Sequence, residues 1–181
     1  ISLQATHTQQ QHSSTYYCRT YYYTTDYTMA DATTTPAPAP ATLKGVREME
    51  YGISELGFVG AHFYPHWFEI EPDHAKVYPF YAKCVELDVP IQMQVGQSMN
   101  YAPDLPRRSV GRPIALDAVA CDFPELKLIG IHVGIPWTDE MIAMAWKHRN
   151  VFIGCDAHAP KYWPESFVRY LDSYGSDTVI F

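Results

Sequence analysis

Residues 127–155 read KLIGIHVGIPWTDEMIAMAWKHRNVFIGC and contain one complete strand–helix–strand unit. The apolar run 127–133 predicts a buried strand, and Thr138 is predicted to cap the helix that follows it. The run 151–155 is again short and apolar, which predicts a second strand. A helix between two such strands indicates a right-handed crossover and a parallel pair.

The same alternation extends in both directions along the chain. The short apolar runs predict strands at 58–63, 91–95, 127–133, 151–155 and 178–181. Between these runs, apolar residues recur at helical spacing, which predicts a helix beside each strand. This order predicts an α/β fold with a parallel sheet, either an open doubly wound sheet or part of a (β/α)8 barrel. Both architectures place their chemistry at the carboxyl ends of the strands.

The N-terminal segment has a different composition. Residues 1–42 are rich in Thr, Tyr and Pro and contain almost no aliphatic residues, which predicts a low-complexity leader without a core of its own. Residues 43–181 are predicted to form the folded domain. Because the sequence ends within the predicted strand 178–181, the pattern also predicts that the domain is cut short.

Composition excludes several classes of function. The chain has 181 residues, 47% of them hydrophobic, and its 13 Lys and Arg against 20 Asp and Glu give a net charge of −7. This charge disfavours binding to nucleic acid, and the absence of an apolar run of about 18 residues argues against a transmembrane span or membrane partner. The 4 cysteines lie far apart, which argues against a disulfide framework and favours a reducing, cytoplasmic location.

Polar residues follow the predicted strands where chemistry is expected. His132 and Asp156 could converge on one point, as an acid–base pair or a metal requires, although each has a structural alternative as a core histidine or a turn cap. His66 and Trp67 lie in the loop after the first strand. There they could contact the substrate or be solvated loop residues. His62, inside that strand, is expected to face the helix layer.

Sequence motifs of several enzyme classes are absent. The chain contains no HxxEH, HExxH or Walker motif and no GxSxG nucleophile elbow. A serine hydrolase or a P-loop enzyme is therefore disfavoured.

Four blocks of sequence resemble the amidohydrolase-related family, in the branch with aminocarboxymuconate-semialdehyde decarboxylase and gamma-resorcylate decarboxylase. The blocks keep the family's order and spacing, and they are ELGFVGAH at 55–62, YAKC at 81–84 leading to VPI at 89–91, DFPELK at 122–127 leading to HVGIPW at 132–137, and NVFI at 150–153. The resemblance covers about residues 43–181.

This resemblance implies a partial (β/α)8 TIM barrel, about strands four to eight, with a divalent metal, Zn or Mn, at its mouth. His132 matches the histidine after the sixth strand, which implies an acid–base role near the metal. Gln97 stands where the family has a histidine after the fifth strand, and an amide oxygen is a weaker ligand than imidazole. No residue of this chain is therefore assigned as a metal ligand.

Two main functional hypotheses and a weaker third remain open from the sequence. The third is an open, doubly wound α/β binding domain, in which nucleotide binding has little support because no Gly-rich phosphate loop follows the first strand. In the first, the protein is a metal-dependent hydrolase or decarboxylase of a small carboxylated substrate, cyclic or aromatic. His132 and Asp156 are then catalytic, and the residues expected to contact substrate are His66, Trp67, Gln97 and Trp137. In the second, the chain is a truncated, non-catalytic remnant. In either case a homo-oligomer would cover the unpaired edges of a partial barrel.

Overall fold

A computed structural model of the chain describes residues 42–98 and 107–181. Helices and strands alternate in it. The helices are α1 (Leu43–Ser54), α2 (Pro65–Phe68), α3 (Tyr78–Glu86), α4 (Leu116–Asp122), α5 (Thr138–Lys147) and α6 (Glu165–Tyr170). The strands are β1 (Ala61–Phe63), β2 (Ile91–Gln94), β3 (Leu128–Ile131), β4 (Val151–Gly154) and β5 (Val179–Ile180).

The strand order identifies the architecture. All neighbouring strands are parallel, and their order in the sheet, β1-β2-β3-β4-β5, is their order along the chain. A doubly wound sheet reverses its order at a switch point, whereas a barrel adds each strand beside the previous one. The sheet is therefore part of a (β/α)8 barrel, as predicted, and the open alternative is excluded.

One face of the sheet is covered by helices. The register aligns Ala61, Ile91, Leu128 and Val151, and each of these side chains is 0 or 1% exposed. They share a hydrophobic core with side chains of the helices Met49, Phe80, Leu116, Met141 and Phe167. Because successive side chains of a strand point to opposite faces, every second residue, and thus the most buried apolar ones, faces the helix layer.

The opposite face corresponds to the barrel interior. It carries His62, Gln92, Ile129 and Phe152 in one register row, and the last three are only half-buried. A cavity of about 250 Å³ lies against this face, and its lining includes Gln92, Ile129, Asp156, Ile180 and Phe181.

Two local predictions are corrected. Strand β3 ends at Ile131 rather than Val133, because His132 and Val133 have φ of 64° and 55° and begin a 3₁₀ turn. Thr138 is the first residue of α5 and not its cap; Trp137 occupies the cap position without a side-chain hydrogen bond.

The predicted leader lies outside the described residues except for its last position. Thr42 accepts a hydrogen bond from the Gly45 backbone N–H at 3.1 Å and caps α1. None of the helices in the described ranges has the length and apolar character needed to cross a membrane.

Candidate functional site

His132 lies at the carboxyl end of β3 and faces Asp156, which follows β4. The backbone N–H of His132 donates to Asp156 Oδ1 at 2.9 Å, and its ring Nδ1 lies 3.3 Å from Asp156 Oδ2. His132 adopts a left-handed backbone conformation, at the start of the turn that follows β3. The structure therefore brings together the two residues that the sequence predicted to be catalytic.

Gln94 holds the other side of the His132 ring. It is the last residue of β2, only 3% exposed, and its amide Oε1 lies 2.7 Å from His132 Nε2. The imidazole is thus fixed between an amide and a carboxylate. Because an amide oxygen only accepts, Nε2 carries the ring proton and donates it to Gln94 Oε1, while Nδ1 makes no hydrogen bond in the described residues and keeps its lone pair beside Asp156.

His132 is predominantly neutral at pH 7. Burial lowers its pKa below 6.5, with a further lowering from His158, while the Asp156 carboxylate acts in the opposite direction. The rings of His132 and His158 are 6.0 Å apart and perpendicular. A neutral imidazole at this point is able to accept a proton.

Two further histidines lie close to His132. His62, on β1 and 8% exposed, has its pKa lowered to about 4, chiefly by burial, with a hydrogen bond to Gln92 opposing the change. His66, fully buried in α2, accepts at Nδ1 from the Val110 N–H at 3.1 Å, and burial lowers its pKa to about 4. The nearby His132 further lowers both pKa values, and all three rings therefore belong to one cluster.

The orientation of His62 reverses the expectation from the sequence. Its neighbours Ala61 and Phe63 are 1% exposed and belong to the core against the helices. Since successive side chains of a strand alternate between faces, His62 lies on the barrel side. The apolar residues on both sides of His62 in the sequence could therefore have predicted this orientation.

The predicted substrate contacts are distributed around the strand ends. The half-buried Trp67 packs on Tyr64 with ring centroids 4.8 Å apart, and its carbonyl accepts from Arg107. The Arg112 guanidinium lies 5.3 Å from the ring centroid of Trp137. Gln97 is exposed, and its backbone N–H donates to the Ile135 carbonyl at 2.9 Å, beside the turn that carries His132. Gln94, which lies 2.7 Å from the His132 ring, was not among the residues predicted to be catalytic or to contact substrate.

The cluster around His132 contains only part of a metal centre. In residues 42–98 and 107–181, the group of three or more His, Cys, Asp or Glu side chains with ligand atoms within 4.8 Å of one another is Asp117, Cys121 and His148, on the helix layer. The pair His132 and Asp156 lacks a third such ligand among the described residues. The strand-end residues therefore do not fit a complete metal site, and no chemical step is derived through a metal.

The buried histidines predict that the fold loses stability in acid. The folded pKa values of His62 and His66, about 4, lie below the ordinary 6.5, so the unfolded chain binds more protons between these values. The free energy of unfolding is therefore highest above pH 6.5 and falls as the pH drops from 6.5 to 4. Below pH 4 no further loss comes from these groups, and the total loss is at most roughly 3 kcal/mol per histidine.

Urea unfolding at pH 7.5 and 4.5 measures this effect. We expect His62→Gln to reduce the loss of stability between the two pH values, and His74→Gln, at an exposed position, to leave it unchanged. An equal loss in wild type and His62→Gln would contradict the assignment.

Comparison with known proteins places this geometry in a family. The amidohydrolase family model matches residues 24–181, so the match begins inside the predicted leader. A 2-keto-4-carboxy-3-hexenedioate hydratase from Sphingobium sp. is 33% identical over 104 residues, covering 49% of this chain and 30% of the hydratase.

Solved structures agree in fold. An uncharacterized TIM-barrel protein from Bordetella bronchiseptica matches with a TM-score of 0.63 and 25% identity, and the match covers 80% of this chain and 50% of the Bordetella protein. A dihydroxybenzoic acid decarboxylase from Polaromonas sp., solved with manganese and 2-nitroresorcinol, has a TM-score of 0.53 and 18% identity, covering 82% and 56%. The chain thus spans about half the length of these structures. The family model matches well over half of the chain, and the chain therefore belongs to the amidohydrolase family.

Proposed function

We propose that the protein is an enzyme that decarboxylates, hydrates or hydrolyses a small carboxylated substrate, with His132 as the residue that transfers the proton. The observation that carries the proposal is the fixed position of the His132 ring between Gln94 and Asp156 at the carboxyl end of the sheet. In barrel enzymes this end carries the chemistry.

The geometry supports a specific sequence of proton movements. The neutral His132 accepts a proton from water or from a substrate hydroxyl, which leaves an oxygen nucleophile or a dienolate-like oxygen. The proton is taken up at Nδ1, where Asp156 stabilises the imidazolium. It is then returned to the carbon whose bond to CO2 breaks in decarboxylation, to the carbon beside the one that hydroxide attacks in hydration, or to the leaving group in hydrolysis. Gln94 keeps the ring oriented throughout, because its Oε1 accepts from Nε2–H in both the neutral and the protonated ring.

The substrate class is supported by residues at the mouth of the site. Trp67 and Trp137 offer aromatic surfaces for a planar ring or a conjugated chain. Arg112 lies over Trp137 and forms an ion pair with Glu140, so a substrate carboxylate would bind this guanidinium in exchange for Glu140. His66 and Gln97 complete the proposed substrate contacts.

A divalent cation, Zn or Mn, is part of the proposal. It would polarise a carboxylate or carbonyl group of the substrate. Support comes from the family and from the manganese in the Polaromonas decarboxylase. His132 and Asp156 alone do not form a complete site for this cation among the described residues, so no residue is assigned to it and no proton step depends on it.

Turnover by the complete protein tests the proposal. We expect measurable activity on 2,6-dihydroxybenzoate or on 2-keto-4-carboxy-3-hexenedioate, lost on treatment with a chelator and restored by Mn²⁺ or Zn²⁺. The substrate that is consumed distinguishes a decarboxylase from a hydratase. Failure with both substrates and with a wider set of aromatic and unsaturated carboxylates, under each metal, would favour the non-catalytic remnant.

A further inference from the structure

Three side chains of types that bind metal ions lie close together at the opposite end of the sheet from His132. Asp117 and Cys121 are one helical turn apart on α4, and His148 directly follows α5. The ligand atoms of all three lie within 4.8 Å of one another. Since α4 ends before β3 begins and His148 precedes β4, the cluster is near the amino ends of these strands.

An ion pair explains only part of this arrangement. Asp117 Oδ1 accepts from Lys147 Nζ and from His148 Nε2, each at 2.6 Å, and these donors hold the pKa of Asp117 below its usual value. The contacts account for the ionised carboxylate and for the position of the two donors. They do not account for a thiol on the same helical face, within ligand distance of both.

We propose that Asp117, Cys121 and His148 bind a zinc-like divalent cation, with water as the fourth ligand. A carboxylate oxygen, an imidazole nitrogen and a thiolate are the three ligand types that zinc takes in proteins. Tetrahedral zinc places its ligand atoms roughly 3.2–3.7 Å apart. The contact of 2.6 Å between His148 and Asp117 therefore opens slightly, and Cys121 moves inward from a separation of at most 4.8 Å.

The surrounding structure keeps the two helices at this spacing. The Asn150 side-chain amide donates to the carbonyls of Phe123 and Leu126 at 3.1 and 3.0 Å. These bonds tie the end of α4 to the start of β4, close to His148. The ligands therefore come from two segments whose separation is fixed before a cation binds, which limits the ordering cost of binding.

Lys147 is the competitor for the site. Its ammonium group occupies the Asp117 oxygen at 2.6 Å and is half-exposed, so a cation binds only when this side chain swings into solvent. Because the charge of Lys147 opposes the entry of a second cation, Lys147→Met is expected to tighten binding by roughly tenfold or more. A bound cation would link α4 to the end of α5 and stabilise the fold; it would not take part in the chemistry at the carboxyl ends.

Cobalt titration of the complete, metal-free protein tests the site without any activity assay. Co²⁺ bound to a thiolate gives a sulfur-to-metal charge-transfer absorption, which reports Cys121 directly. We expect this band to saturate near one equivalent and to be displaced by Zn²⁺. In Cys121→Ser it should disappear, with Zn²⁺ affinity lower by at least about 100-fold, while in Lys147→Met it should appear at lower Co²⁺ concentration.

Cys155→Ser is the matched control, because Cys155 is the other cysteine of the described residues beside a carboxylate, Asp156. It should retain the band. The proposal is overturned if wild type and Lys147→Met both lack the band up to millimolar Co²⁺, or if Cys121→Ser keeps it. Cys121 is exposed, so its replacement leaves the core intact and the comparison remains interpretable.

Discussion

His132→Asn is expected to lower kcat of the complete protein by about 10²- to 10⁴-fold, the range for removal of a general acid–base residue. Asparagine retains a polar group near Gln94 but has no group that exchanges a proton near neutral pH. The change in KM should be small, because the His132 ring transfers a proton whereas other residues make the proposed substrate contacts. Steady-state kinetics on the substrate identified in the turnover assay measures both constants.

His74→Asn is the control for this variant. His74 is exposed and caps a 3₁₀ turn by accepting from the Lys76 N–H, a role that asparagine also fills. Its kcat should remain within twofold of wild type. If His132→Asn also retains wild-type kcat while folded, His132 is not the proton-transfer residue.

Gly96→Ala is expected to destabilise the fold by roughly 3 kcal/mol or more, through backbone strain together with a steric clash. Gly96 has φ of 99°, and a Cβ there would overlap the Ile135 carbonyl oxygen, which accepts from the Gln97 N–H. The Gly96 N–H also donates to the Gly111 carbonyl at 2.8 Å. The substitution therefore pushes apart the loops that follow β2 and β3.

Gly57→Ala is the control that separates backbone strain from a steric clash. Gly57 has φ of 72°, but a Cβ there meets no atom within 4 Å, so only the conformational cost of about 1–2 kcal/mol remains. Chemical denaturation of both variants should show the larger loss for Gly96→Ala. Equal losses would mean that the loop at Gly96 moves aside without cost.

The sequence predicted the fold because its helix-facing residues are consistently apolar. Runs such as 127–133 and 151–155 are almost wholly apolar and are the right length for buried strands, and strand boundaries were correct within a few residues. What the pattern left open was whether the sheet was open or part of a barrel. Strand order decides this, and it depends on pairing between segments that lie far apart in sequence.

The candidate site was predictable only in part. His132 and Asp156 follow their strands directly, so their convergence could be anticipated. Gln97 was chosen over Gln94 because it stands where the resembled family has a histidine, whereas in the structure Gln97 is exposed and Gln94 contacts the His132 ring. The lowered pKa values of the three histidines depend on burial in the assembled site, which no local pattern contains.

The pH dependence of kcat/KM in wild type and His132→Asn tests most directly whether His132 transfers the proton. Burial lowers the pKa of His132 below 6.5, and the protonated ring cannot accept a proton, so the wild-type rate should fall as the pH drops through that pKa. In His132→Asn the residual rate should lack this acidic limb. An acidic limb of the same position and depth in both proteins would contradict the account and assign the titrating group to another residue.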